Sequence, residues 1–317
     1  MQIILPVASA FMKTNKPRTL PYYIADVFTE HAFGGNQLAI FPHADELSDA
    51  FMQKVAREFN FSETAFVSKT ENTLDHWRVR IFAPNQELQF AGHPTIGTAH
   101  VLAAIGALSL QEGANFLTFV EGIGPVPIKI EVRGGKPVFC QFTAAMQPEF
   151  HSPLSLGMLS GTVAVRAQDV LGGKYGPDAI SCGVPFNLIP LATRACLSNA
   201  QLDIVSHGMF ISNTWAKSLC LFAFDDDVTN RIHMRVFSPN FGFVEDPATG
   251  AAAAALAAYL AKREEASTGT FCWEILQGYD MDRPSQIAIE ADKADGEISA
   301  VRVGGTAVLI GSGMLSL

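Results

Sequence analysis

The chain has 317 residues, 48% of them hydrophobic, and a formal net charge of −9. Its length suits two domains, because single hydrophobic cores stop growing near ~250–300 residues, and its acidic balance argues against a nucleic-acid groove. No apolar run reaches the ~18–20 residues of a membrane span, and five scattered cysteines (Cys140, Cys182, Cys196, Cys220, Cys272) without C-x-x-C spacing fit a reducing cytoplasm rather than a disulfide frame or zinc site.

Residues 1–20 carry little periodicity and read as an N-terminal arm bearing Lys13, Lys16 and Arg18. Its apolar stretch Ile3–Met12 lacks a basic start and is interrupted by Pro6, unlike an export signal. Tyr22–Phe28 predicts the first strand, Phe33-Gly34-Gly35-Asn36 a loop, and Gln37–Phe41 a second strand. Ser48 then caps a helix, with Asp49 in its first turn and Leu47 and Met52 placed as a hydrophobic staple. Phe51, Met52, Val55, Ala56 and Phe59 form its apolar face, and Asn60 ends it.

Thr64–Val67 predicts a strand with Ser62 and Glu63 at its entrance. Glu63 lies between Phe61 and Phe66, where loss of water raises a carboxyl pKa and prepares it for proton transfer. A solvated loop glutamate is the plainer alternative. Trp77–Phe82 alternates as a strand, and Pro84–Glu87 makes a turn. Phe90–Gly97 reads as a strand end, a tight turn at Gly92, and a buried helix with Pro94 at its first position. The first turn of that helix offers unpaired N–H groups to an anion, with His93 at the mouth. A structural histidine is the alternative for His93. Phe116–Val120, Pro127–Val132 and Pro137–Phe142 predict further strands, the last two joined by a hairpin turn at Gly134-Gly135.

A polar, proline-rich stretch over 147–157 marks a domain boundary. Beyond it the plan repeats. Arg80-Ile81-Phe82-Ala83-Pro84-Asn85 is echoed by Arg235-Val236-Phe237-Ser238-Pro239-Asn240. Each copy leads to a proline with glycine three residues on, Pro94 with Gly97 and Pro247 with Gly250, and then to an apolar small-residue helix. The second helix is predicted over Ala251–Leu260. This is read as an internal duplication. Asp225-Asp226-Asp227 reads as a hairpin turn, with a metal as the alternative, and the eight histidines show no ligand spacing. The expected fold is α+β, with two pseudo-symmetric domains, each a curved mixed sheet or barrel around a central apolar helix. The domains cover 21–150 and 151–317, with the last strand free to return to the first domain. Two helix N-termini would then meet at one interdomain cleft and suit a small carboxylate.

The ordered motifs Asp26-Val27-Phe28-Thr29, Gly35-Asn36, Arg57–Phe66, Phe90–Ala99, Glu245–Gly250, Gln277-Gly278 and Arg283-Pro284-Ser285 resemble the phenazine-biosynthesis PhzF-like family. That family has the diaminopimelate epimerase-like fold. The resemblance implies a cofactor-independent isomerase, with no metal, whose catalytic glutamate falls on Glu63. Its histidine falls on His93 and its second-helix aspartate on Asp246, while Pro247 would begin the second helix. Asn36, Gly92, Pro94, Thr249, Gly250 and Ala251 are the expected substrate contacts. Ala251 stands where many relatives carry serine, Gln37 replaces a common proline, and Asp282 a common glycine. The thiol pair of amino-acid epimerases is missing, with Ala91 and Pro247-Ala248 at those places. Cys182 reads as a small packed residue. A homodimer in the cytoplasm, acting on a small carboxylate metabolite, is expected. The alternatives are a racemase or epimerase of the same fold and a non-catalytic small-molecule binding protein.

Overall fold

The computed structural model describes residues 19–70 and 76–316. Most of the expected arm over 1–20 lies outside them; Thr19 and Leu20 belong to the first strand. The first half runs β1 (Thr19–Val27), β2 (Asn36–Phe41), α1 (Asp49–Phe59), β3 (Glu63–Lys69), β4 (His76–Phe82), β5 (Glu87–Leu88), α2 (Gly92–Ala104), β6 (Gly113–Glu121), β7 (Gly124–Arg133), β8 (Lys136–Thr143) and β9 (Glu149–His151). The second half runs α3 (Leu156–Thr162), β10 (Asp178–Ser181), β11 (Pro185–Pro190), α4 (Arg194–Asn199), α5 (Ile204–Phe210), β12 (Ser218–Phe224), β13 (Arg231–Phe237), β14 (Glu245–Asp246), α6 (Gly250–Arg263), β15 (Gly269–Gln277), β16 (Ser285–Ala294), β17 (Glu297–Gly305) and β18 (Ala307–Ser316). No described helix is long and apolar enough to cross a membrane.

The two halves share one pairing plan. β2 runs parallel to β3, and β11 parallel to β12. β4 pairs antiparallel with β3 and β5 and parallel with β6, as β13 does with β12, β14 and β15. The halves are laced together where β8 meets β17, where β18 pairs with β1, and where β9 pairs with β10. Side chains repeat too. Arg80 donates through Nε and Nη2 to both oxygens of Glu87 at 2.7 Å, and Arg235 does the same to Glu245 at 2.8 Å. Each guanidinium also lies over a phenylalanine of its own strand, Phe82 or Phe237.

Each half encloses one helix. Every residue of α2 from Gly92 to Leu102 is buried, and so is every residue of α6 from Gly250 to Ala261. A helix apolar all round must be covered on all sides, and small residues let the sheet close on it. A Cβ on Gly97 would come within 2.6 Å of Val27 and 2.7 Å of Leu38. Outside the sheet, α1 lays Met52, Val55 and Ala56 on Phe41, Phe66 and Phe82. Ser48 caps α1 by accepting from the Phe51 N–H, and Asn60 ends it in the left-handed region. Asp225 closes the β12–β13 hairpin by accepting from the Asp227 and Val228 N–H groups at 2.9 Å, and no cluster of three metal-binding side chains occurs among the described residues.

Two helix starts differ from expectation. The chain stays extended through Ala91 (φ −152°), so α2 begins at Gly92 and Pro94 is its third residue, not its first. Proline still fits there, because first-turn N–H groups have no intrahelical partner. Likewise α6 begins at Gly250, so Pro247 precedes it by three residues rather than opening it, and the helix runs on to Arg263. The phase of the duplication changes with this. Three residues separate β5 from α2 and β14 from α6, so Gly92 matches Gly250; the proline–glycine spacing is not the structural correspondence. The preceding turns differ in length: Phe82 pairs with Glu87 across residues 83–86, whereas Phe237 pairs with Glu245 across residues 238–244.

Candidate active site

The starts of β2 and β3 place the first two groups. Parallel pairing of Leu38 with Glu63 brings Asn36 and Glu63 to the same end of the sheet. The turn before Asn36 needs glycine: Gly35 has φ +59°, and a Cβ there would lie 2.2 Å from the Val27 carbonyl oxygen. Arg283 holds this turn from the other half. Its Nε donates to the Gly35 carbonyl at 2.7 Å, and its Nη2 reaches the Gly34 carbonyl at 2.5 Å and buried Asp26 at 2.6 Å. Asp26 in turn accepts from the Phe33 N–H at 2.7 Å.

The helix starts bring the remaining groups. His93, the second residue of α2, turns its Nε2 to within 3.4 Å of Glu63 Oε2. Both side chains are buried, and neither of these two atoms has a hydrogen-bond partner within the described residues. Asp246, which ends β14, is held on all sides. Asn36 Nδ2 donates to its Oδ1 at 2.7 Å, Ser62 Oγ lies 3.3 Å from the same oxygen, and Thr249 Oγ1 donates to Oδ2 at 2.5 Å. Asn36 Nδ2 also meets the Ala248 carbonyl at 3.0 Å and His93 Nδ1 at 3.2 Å. Gln277 ties the approach to α6, donating to the Asp246 carbonyl at 2.7 Å and accepting from the Thr249 N–H at 2.9 Å.

Burial sets the charge states. It raises the Glu63 pKa well above the ordinary carboxyl range, and the charge of Asp246 pushes it the same way. Burial also lifts Asp246, to about 6, against the hydrogen bonds from Thr249, Asn36 and Ser62. His93 is pushed down to about 3 by burial, with a hydrogen bond to the Gln37 backbone partly offsetting the shift. Of the two carboxyl groups Glu63 is thus the one biased toward holding a proton, Asp246 is the one whose charge hydrogen bonds stabilise, and burial favours the neutral imidazole of His93.

These groups border a cavity of about 230 Å³ between the two halves. Glu63, Gly92, His93, Asp246, Thr249, Gly250 and Ala251 all line it. Asn36 and Pro94 do not: Asn36 stands behind Asp246 as a brace, and Pro94 is enclosed within the first turn of α2. Among the described residues, no lysine or arginine lines the cavity. The first-turn N–H groups of α2 and α6, which lack intrahelical partners, lie at this cavity and are the kind of groups that can hold an anion. A wider groove of about 630 Å³ elsewhere is bordered by Lys129, Glu290 and Arg302, which are taken up in ion pairs, Lys129 with Glu131 and Arg302 with Glu290.

Gln89 and Ser238 add two polar side chains, and most of the remaining wall is apolar: Leu88, Phe90, Val184, Pro185, Phe186, Phe241 and Phe243. Phe241 and Phe243 flank Gly242, whose φ is +100°, in the longer of the two matching turns. Sequence reasoning did not single them out, although the difference between 83–86 and 238–244 is visible once the two copies are aligned on their Arg and Glu residues. Cys182 is buried with Sγ 3.6 Å from the Ala254 carbonyl, and its thiol is pushed up to about 12 by burial, so it is a packed residue.

A duplicated shell around two buried helices, with an acid, an imidazole and a carboxylate beside a cavity at the helix starts, defines an epimerase-like enzyme fold. Residues 25–313 match the family described as phenazine biosynthesis-like protein, and the chain belongs to that family. It is 33% identical over 306 residues to an uncharacterised isomerase of Mesorhizobium japonicum, covering 94% of this chain and 99% of that one. It is 32% identical over 299 residues to the trans-2,3-dihydro-3-hydroxyanthranilate isomerase of Pseudomonas aeruginosa, covering 92% and 98%. Among solved structures, a PhzF-family phenazine biosynthesis protein of Bacillus anthracis superposes with TM-score 0.84 at 24% identity, covering 95% of this chain and all of that one. The chain is an isomerase of the PhzF-like family.

Proposed function

We propose that the protein shifts a proton between two carbons of a small carboxylate, with Glu63 as the acid and base. His93 and Asp246 orient the exchange, and the first-turn amides of α2 and α6 bind the carboxylate. The observation that carries this reading is that Glu63, the buried acid of raised pKa, has no carboxyl or imidazole mate across the duplication. The strand registers match Glu63 with Ser218 and Asn36 with Val184, and the helix starts match His93 with Ala251. Glu63, Asn36 and His93 thus each have a small or apolar mate in the second half. Racemisation by two bases needs a proton carrier on each face of the substrate, whereas a proton shift on one face needs a single carrier of raised pKa. Ring acids such as trans-2,3-dihydro-3-hydroxyanthranilate, named for the Pseudomonas relative, are the substrate class to try first. Ala251 offers only a methyl group to that ring.

Glu63→Gln keeps the shape and removes the proton carrier. It should stay folded and lose ~10²–10⁴-fold in turnover, the range of general acid–base catalysis. The assay follows deuterium uptake from D₂O into that acid together with its ultraviolet spectrum. A proton shift through a diene changes the spectrum, whereas racemisation changes only optical rotation. Turnover retained by Glu63→Gln would refute the assignment.

A further inference from the structure

Another buried carboxyl group lies beside the first turn of α2. Glu121 is the last residue of β6 and is 6% exposed. Its mate in the second half is Gln277, because His76 pairs with Thr118 and Arg231 with Glu274, each three residues before the position in question. Gln277 pins the start of α6 using both a donor and an acceptor: its Oε1 accepts from the Thr249 N–H at 2.9 Å, and its Nε2 donates to the Asp246 carbonyl at 2.7 Å. An amide supplies both functions, and so does a protonated carboxyl group; a carboxylate only accepts.

The contacts of Glu121 call for the protonated form. Thr95 Oγ1 lies 2.7 Å from Glu121 Oε1 and 2.8 Å from the Ala91 carbonyl oxygen. The hydroxyl has one proton, and the Ala91 carbonyl can only accept. Both contacts are hydrogen bonds at once when Thr95 donates to Ala91 and Glu121 donates to Thr95. Glu121 Oε2 is buried with no partner among the described residues, a costly place for a charge. Among the described residues, the elements around it offer no cation paired with it. On β4, Arg80 is taken up by Glu87 and Asp49; on β7, Lys129 is taken up by Glu131. Arg78 of β4, Arg133 and Glu131 of β7, and His93 and His100 of α2 make no ion pair or hydrogen bond with Glu121 among the described contacts. Burial lifts the group to about 8, with the Thr95 contact pulling the other way.

We propose that Glu121 is a positioning residue that works as a neutral acid, the counterpart of Gln277. Its proton, passed through Thr95, fixes the Ala91 carbonyl and with it the turn that carries Gly92 and His93 into the cavity. The functional half of this inference rests on the reading of that cavity as the active site. Its protonation half stands by itself. Between the ordinary glutamate pKa and about 8, the unfolded chain has released this proton and the native chain has not, so stability falls as pH rises through that window.

The test compares Glu121→Gln and Glu121→Ala with the wild type. Tm is measured from pH 5 to 9.5, and turnover of trans-2,3-dihydro-3-hydroxyanthranilate by deuterium uptake over the same range. Glu121→Gln should gain Tm over the wild type increasingly between pH 5 and 8 with no further gain above that, hold turnover within about threefold at neutral pH, and lack the fall in turnover that ionisation of Glu121 near pH 8 brings to the wild type. Glu121→Ala should lower kcat ~10-fold or more, as misplacement of a catalytic turn does. The carboxylic-acid carbonyl stretch of Glu121, read as an infrared difference between wild type and Glu121→Gln at pH 7, should be present. A Gln variant that fails to fold, that falls to the level of the Ala variant, or that keeps the wild-type pH dependence of Tm overturns the proposal. The Tm and infrared measurements do not depend on Glu63 being the base, so failure here is distinguishable from failure of the proton-shift reading.

Discussion

Gly92 and Gly250 meet backbone to backbone. A Cβ on Gly92 would lie 2.5 Å from Gly250 Cα, and one on Gly250 would lie 2.8 Å from Gly92 Cα. The starts of the two enclosed helices are therefore in direct contact at the junction of the duplicated halves.

Gly92→Ala or Gly250→Ala must push α2 and α6 apart. Backbone cannot yield as a flexible side chain can, so each change is expected to destabilise by about 1–3 kcal/mol, the usual range for overpacking. Turnover should fall as well, since the first-turn amides proposed to bind the carboxylate separate. Urea unfolding and the deuterium-uptake assay check this; an unchanged midpoint and unchanged turnover for both variants would sink it.

Phe241 and Phe243 form part of the apolar wall on the longer turn. Truncating either to alanine removes an aromatic face from the ligand. A loss of ~1–2 kcal/mol in binding, or roughly 10-fold in KM, is expected with little change in kcat. Excising residues 241–243 should give the same KM effect, because it shortens the turn to the length of residues 83–86. Steady-state kinetics with a ring carboxylate decides the matter, and a pure kcat effect would contradict it.

Thr249 donates to Asp246 and so holds its pKa down. Thr249→Val removes that donor, and the pKa of Asp246 rises above its present value of about 6. If ionised Asp246 is needed for turnover, the acid limb of the kcat/KM profile should move to higher pH in the variant. A limb that stays in place, or moves to lower pH, would exclude Asp246 as its source.

Arg283 satisfies two carbonyls and buried Asp26 through a planar fork. Lysine offers a single point of charge and cannot span the three acceptors. Arg283→Lys is expected to lower stability by about 2–4 kcal/mol, toward the range for breaking a buried pair. It should also loosen Asn36, which follows the clamped turn. Tm together with turnover tests the pair of effects; a stable variant with full activity would show that the clamp is dispensable.

Much of this was legible in the chain itself. The cap at Ser48, the left-handed stop at Asn60, the enclosed helices and the entry of Glu63 into a strand beside Phe66 are local consequences of residue type and spacing. So was the repetition of an Arg-x-Phe-x-Pro-Asn segment. Where local signals competed with packing, packing prevailed. The proline–glycine spacing suggested one phase for the duplication. The contact between Gly92 and Gly250 imposes another, because only residues without side chains fit where two backbones touch.

The amino-acid sequence by itself determined the two-part plan, the two buried helices and the cast of ionisable groups, since caps, turns and apolar periodicity act over a few residues. Only the tertiary structure decided which of those groups share a cavity. It put Asn36 and Pro94 outside the cavity, set Phe241 and Phe243 into its wall, and left the mates of Glu63 and His93 as Ser218 and Ala251. Those outcomes depend on contacts between residues more than a hundred positions apart. Such contacts are set by how the sheets close around the helices, and no local spacing encodes that.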